Sequence, residues 1–133
     1  MLRPLMGLVV ALSVGCLGDG MTGSSTVTGA YTLRTVNGAP LPYTIVGSGT
    51  AKTEIIDDVI TLYEGGTYAE SGHSRTTVSG QVANESNTET GSYSLFGTSV
   101  TLRSSDGGRT RMPTIDGNTM TVVESGMTSV FTK

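Results

Sequence analysis

After residue 28 no stretch of the chain keeps apolar residues at helical spacing for three turns. They alternate with polar residues at period two, in short runs that end in glycine-bearing turns, and this predicts an all-β domain. Runs at 30–36, 53–56, 59–63, 67–71 and 73–78 occupy the first half; runs at 90–96, 98–104, 109–115, 119–124 and 127–133 occupy the second. Gly97, Asp106-Gly107-Gly108, Asp116-Gly117-Asn118 and Ser125-Gly126 supply the later turns. Asp57-Asp58 reads as a tight two-residue turn, because aspartate tolerates left-handed backbone, and Gly72 reads as a bulge or bend. Residues 37–49 read as a long proline-bearing connection and residues 79–89 as a polar loop. The C-terminal links are too short for a parallel crossover, so those strands run antiparallel, each beside its predecessor. Ile60-Thr61-Leu62 and Val100-Thr101-Leu102, each followed by a Gly-Gly pair, use one strand–turn–strand recipe twice without making a repeat protein.

A single meander of about eight or nine strands leaves bare backbone on its first and last members. Closing it into an up-and-down barrel removes both edges. A flat sheet or an open sandwich is the alternative, and residues 29–133 offer no helix to cover a sheet face. Alternation turns Tyr31, Leu33, Ile60, Leu62, Tyr93, Leu95, Val100, Leu102, Met120 and Val122 inward. An eight-stranded barrel is about wide enough to be filled by side chains or to hold one small ligand. Of these residues Tyr31, Leu33, Leu62, Tyr93, Leu102 and Met120 are the candidate ligand-binding set, and a small apolar molecule is the candidate ligand. With one cysteine and no tryptophan, the domain stands on an aliphatic core without a disulfide staple.

The N-terminus gives an address. Arg3 precedes an apolar run at 5–14, too short for a membrane-spanning helix of about 20 residues but within the ~7–15 of a secretory signal. The run closes on Leu12-Ser13-Val14-Gly15-Cys16, with the chain's single cysteine behind a small residue. This arrangement resembles the lipobox of bacterial lipoproteins, although Ser13 stands where the family prefers leucine. The resemblance implies a signal peptide over 1–15, lipid attachment at Cys16 and a stable anchor. Leu17 follows the cysteine where an inner-membrane-retained lipoprotein has aspartate, which implies the outer membrane. The residues by themselves also admit an ordinary cleaved signal or a buried apolar helix. Residues 16–28, small and polar, read as a flexible tether to a domain at 29–133.

Gly29-Ala30-Tyr31-Thr32-Leu33, then Val36-Asn37-Gly38 and Leu41-Pro42, resemble the opening of small bacterial lipocalin-like lipoprotein domains. Gly91-Ser92-Tyr93 and the closing Val130-Phe131-Thr132-Lys133 suit the same pattern, with Tyr31 where the family has Trp or Tyr. The resemblance spans the whole domain and implies a calycin-type barrel with one plugged end.

Little in the sequence points to chemistry. Acidic residues outnumber basic ones, 11 to 8, for a net charge of −3, so the basic stripe of a nucleic-acid binder is missing. His73 is the single histidine and reads as a strand or surface residue, since a catalytic base also needs a nucleophile and an orienting acid. Asp57-Asp58 is too small an oxygen set for calcium. Arg109 and Arg111 share one strand face, with Arg103 on the neighbouring strand. They read either as an anion site or, preferred here, as charges on a solvated outer face. The expectation is a non-enzymatic, exported, lipid-anchored envelope protein that needs no cofactor or metal. Its expected partners are the membrane, through the N-terminal lipid, and a small apolar ligand. The alternative is a structural or protein-interaction module with a fully packed barrel.

Overall fold

The computed structural model describes residues 27–133; the signal segment 1–15, Cys16 and nearly all of the tether lie outside the described residues. Eleven strands follow one another: β1 (Gly29–Val36), β2 (Ala39–Pro40), β3 (Tyr43–Ser48), β4 (Ala51–Leu62), β5 (Thr67–Val78), β6 (Gln81–Phe96), β7 (Ser99–Ser104), β8 (Thr110–Arg111), β9 (Thr114–Asp116), β10 (Thr119–Glu124) and β11 (Met127–Thr132). Eight of them close a ring in the order β1, β4, β5, β6, β7, β9, β10, β11, all antiparallel. Closure falls on β1: Gly29–Thr32 pair with Leu62–Val59 of β4, and Thr32–Val36 pair with Thr132–Ser129 of β11. The barrel expected from the edge argument is thus the fold, with β2 and β3 added outside the ring and β8 preceding β9 along the same edge of β7.

Local chemistry sets the turns. Asn37-Gly38, Ser79-Gly80 and Ser125-Gly126 each place two successive residues at positive φ, the left-handed pair that a two-residue hairpin loop needs to match strand twist. The inward side chains then pack together. Tyr31, Val36, Ile60, Val100 and Met120 are wholly buried, and Leu33, Leu62, Tyr68, Leu102, Ile115, Val122 and Phe131 nearly so. Each large apolar side chain removed from water contributes about 1.5–3 kcal/mol before entropy is counted. One end of the barrel is shut: Val27 is folded into the core, and its carbonyl accepts a 2.7 Å hydrogen bond from the Tyr31 hydroxyl. There Lys133 Nζ donates to the Thr28 carbonyl at 2.9 Å and lies 5.3 Å from the Tyr31 ring centre.

Three expectations are corrected. Asp57-Asp58 is not a turn: β4 runs unbroken from Ala51 to Leu62, with its bulge between Ile55 and Asp57 rather than at Gly72. Of residues 79–89 only Ser79-Gly80 is a turn, since 81–89 open the 16-residue β6, and much of 37–49 is β2 and β3. Arg109 and Arg111 do not sit on a solvated outer face, because Arg111 pairs with Leu102 and so turns inward with it. Opposite the shut end, β4, β5 and β6 (12, 12 and 16 residues) outrun the 6-residue β7, β10 and β11, and with β3 paired along the far half of β4 they project as a four-stranded flange beyond the barrel mouth.

Candidate functional site

The same parity that buries aliphatic residues in the lower barrel carries charge into the upper barrel. Asp58 lies two residues before Ile60, Glu70 two after Tyr68, Glu89 two before Gly91, and Glu124 two after Val122, so all four face inward. Arg111 meets them from across the barrel and is only 6% exposed. Its guanidinium donates to Glu70, at 3.0 Å from Nη1 to Oε1 and again from Nη2, and to Glu89 Oε1 at 2.8 Å. The Tyr68 hydroxyl donates to the same Glu89 oxygen at 2.6 Å. Arg109 closes the network at the mouth: its Nε donates to Glu124 Oε1 at 2.8 Å and its Nη2 to Oε2, while Nη1 stands 3.6 Å from Glu89 and 3.7 Å from Glu70.

Burial and proximity set the protonation states. Asp58 is pushed up to about 8, first by burial, then by the Glu70 carboxylate beside it and the hydrogen bond the two share. A proton therefore stays on Asp58 at neutral pH, and the pair is bound through it. Burial, then the bond to Glu89, pushes Tyr68 up to about 12. Hydrogen bonds from Arg109 hold Glu124 below the ordinary glutamate range, and Glu124 raises Arg109 in return. With Asp58 neutral, three carboxylates face two guanidiniums, leaving one negative charge in excess. Gly72 makes room for this: a Cβ there would stand 3.1 Å from Asp58 Oδ1. Among the described residues Asp58 Oδ1 and Arg111 Nε find no hydrogen-bond partner.

A cavity of about 480 Å³ opens onto this network from the flange side, lined by Asp58, Glu70, Glu89 and Arg109 together with Ile45, Thr53, Ile55, Ser74 and Asn87. Asp57 and His73 stand at its rim, joined at 2.6 Å and both about half exposed. A larger concavity of about 870 Å³ is a shallow groove across β5, β6 and β7 beneath the Ser104–Arg109 turn, lined mainly by threonine, serine and glycine. The chemistry is concentrated in the smaller one. Among the described residues no three His, Cys, Asp or Glu side chains converge as a metal site would require.

The sequence-derived candidates Tyr31, Leu33, Leu62, Leu102 and Met120 come together as core, with Tyr93 half-buried against them and its hydroxyl donating to the Tyr63 carbonyl. They line neither opening except as backing, and the residues around the smaller cavity are others. Glu70, Glu89, Glu124 and Tyr68 escaped the sequence reading, although carrying the inward parity of Val122 on to Glu124, and that of Tyr93 back through Gly91 to Glu89, would have found two of them. Cys16 lies outside the described residues.

Fold and site together define an eight-stranded antiparallel barrel, compatible with calycin-like architecture, with an apolar shut half and a charged mouth. No family model matches the chain, and no curated protein matches it significantly.

Proposed function

We propose that the chain is a binding protein of the bacterial envelope, not an enzyme, and that the barrel mouth takes a small polar molecule carrying a positively charged nitrogen. The observation that carries this is the cavity of about 480 Å³ lined by Asp58, Glu70 and Glu89, at a network in which three charged carboxylates face the two guanidiniums of Arg109 and Arg111. Concave sites with a few convergent polar groups and a perturbed carboxyl are where small ligands bind. The solid packing of Tyr31, Leu33, Leu62, Leu102 and Met120 favours the mouth over the apolar interior as the ligand's place. It equally supports the alternative of a packed barrel acting as an interaction module, in which case the mouth network only fixes the fold. The lipobox-like segment ending at Cys16 supports export and lipid anchoring, and Val27, the first described residue, lies in the core at the shut end of the barrel.

Isothermal titration with small primary amines, guanidinium compounds and matching carboxylates separates the readings. Binding of the cations alone, weakened about tenfold or more by Glu89→Gln, which removes a charge lining the cavity, is expected. Failure of every cation to bind, or equal binding by the variant, would leave the packed-module reading. Labelling with radioactive palmitate, compared with Cys16→Ala, tests the anchor independently.

A further inference from the structure

The flange ends in two strand edges that differ sharply. The β3 edge is interrupted by a bulge between Thr44 and Val46 and by Gly47 at φ 85°, with Pro42 just before it. The β6 edge has none of these devices. Gln81–Ser92 pair with β5 without a register break, whereas β7 takes up β6 only from Gly91 onward. Among the described residues, then, nothing pairs with the outer side of 81–89. The Thr90 carbonyl accepts from Ser105 N–H at 2.9 Å on the β7 side, and the Tyr93 N–H donates to the Gly66 carbonyl on the β5 side. By alternation the main-chain groups of Val82, Asn84, Ser86 and Thr88 therefore point out of the sheet, and every residue from 81 to 88 is exposed. A long, straight edge without lysine, proline or bulge is what soluble proteins avoid unless another strand is to be received.

We infer that residues 81–89 of β6 receive an extended basic peptide segment as an added strand, through the unpaired main chain of Val82, Asn84, Ser86 and Thr88. Charge selects the occupant. The only charges on this segment are Glu85 and Glu89, both on the face that continues into the carboxylate-rich mouth. Lysine or arginine at alternate positions of an added strand would lie beside them, and opposite charges across a strand pair are favourable. A second copy fits worse because residues 81–89 carry no lysine or arginine to meet Glu85 and Glu89, and pairing centred on Glu85 or Asn87 sets glutamate directly against glutamate. Main-chain bonds supply affinity in this mode, and alternate side chains supply selectivity. The site abuts the mouth at Glu89, which Arg111 and Tyr68 already hold, so Glu85 is the glutamate that selects the peptide.

The test uses the full chain and a synthetic peptide of alternating lysine and threonine, read by amide hydrogen exchange in NMR. The peptide should slow exchange at Val82, Asn84, Ser86 and Thr88 while leaving the β5-bonded amides of Ala83, Glu85 and Asn87 unchanged. An alternating glutamate–threonine peptide should not bind, and Glu85→Lys, a change at an exposed side chain, should weaken the lysine peptide several-fold. Three results overturn the inference: binding without protection of those four amides, equal binding of the glutamate peptide, or concentration-dependent protection without peptide, which would make a second copy the occupant.

Discussion

Asp57 and Asp58 are neighbours of one chemical type, yet Asp57 reaches the rim, where it meets His73, while Asp58 enters the barrel beside Glu70. Strand alternation separates them. In the sequence the pair looks like a turn because local propensity is all that two adjacent aspartates display; the cross-strand glycine that lets Asp58 face inward lies at position 72. The native Asp58 keeps its proton up to about pH 8, whereas an unfolded aspartate loses it near pH ~4. Between those values only the unfolded state has released the proton, so this residue lowers stability as pH rises. Asp58→Asn keeps a donor toward Glu70 without that dependence. Urea unfolding should find the variant about equal to wild type near pH ~4 and more stable by on the order of 1–3 kcal/mol near pH ~8. Arg111→Ala acts in the opposite direction, since it strands Glu70 and Glu89 without their cation. A loss of about 3–5 kcal/mol is expected, and adding Glu70→Gln with Glu89→Gln should recover much of it.

Among the elements, those with one buried face were legible and those with two wet faces were not. Val100 and Leu102 in β7, or Met120 and Val122 in β10, alternate with polar residues and proclaim their inward side. Residues 81–88 show no such alternation because both their faces are solvated, so a strand reads as a loop. Arg111 and Glu124 continue an inward face with charge, which hydrophobic periodicity registers as its end. Close approach between elements was equally silent. At Gly91 a Cβ would stand 2.0 Å from the Arg103 carbonyl and 2.7 Å from the Tyr68 ring. The carbonyl belongs to the β6–β7 ladder and cannot retreat without breaking it. Gly91→Ala should therefore cost about 1–3 kcal/mol in thermal or urea unfolding, more than an alanine at an open strand position would.

For the whole molecule, the argument from exposed edges was enough to close the barrel, and β1 closes it by dividing its length between β4 and β11. What sequence patterning could not convey is that the interior changes character along its axis, from Val27 and Tyr31 at the shut end to Arg111, Glu70 and Glu89 near the mouth. Ion pairs across a barrel join residues 22 and 41 positions apart, and nothing local announces them. The account stands on that mouth being a water-poor, charged site rather than a solvated rim. The most direct test is a carbon-13 NMR titration of the side-chain carboxyls in the full chain, with Asp58 identified by its loss in Asp58→Asn. The account predicts that Asp58 titrates at about 8. A midpoint near ~4, that of an aspartate in water, would contradict it.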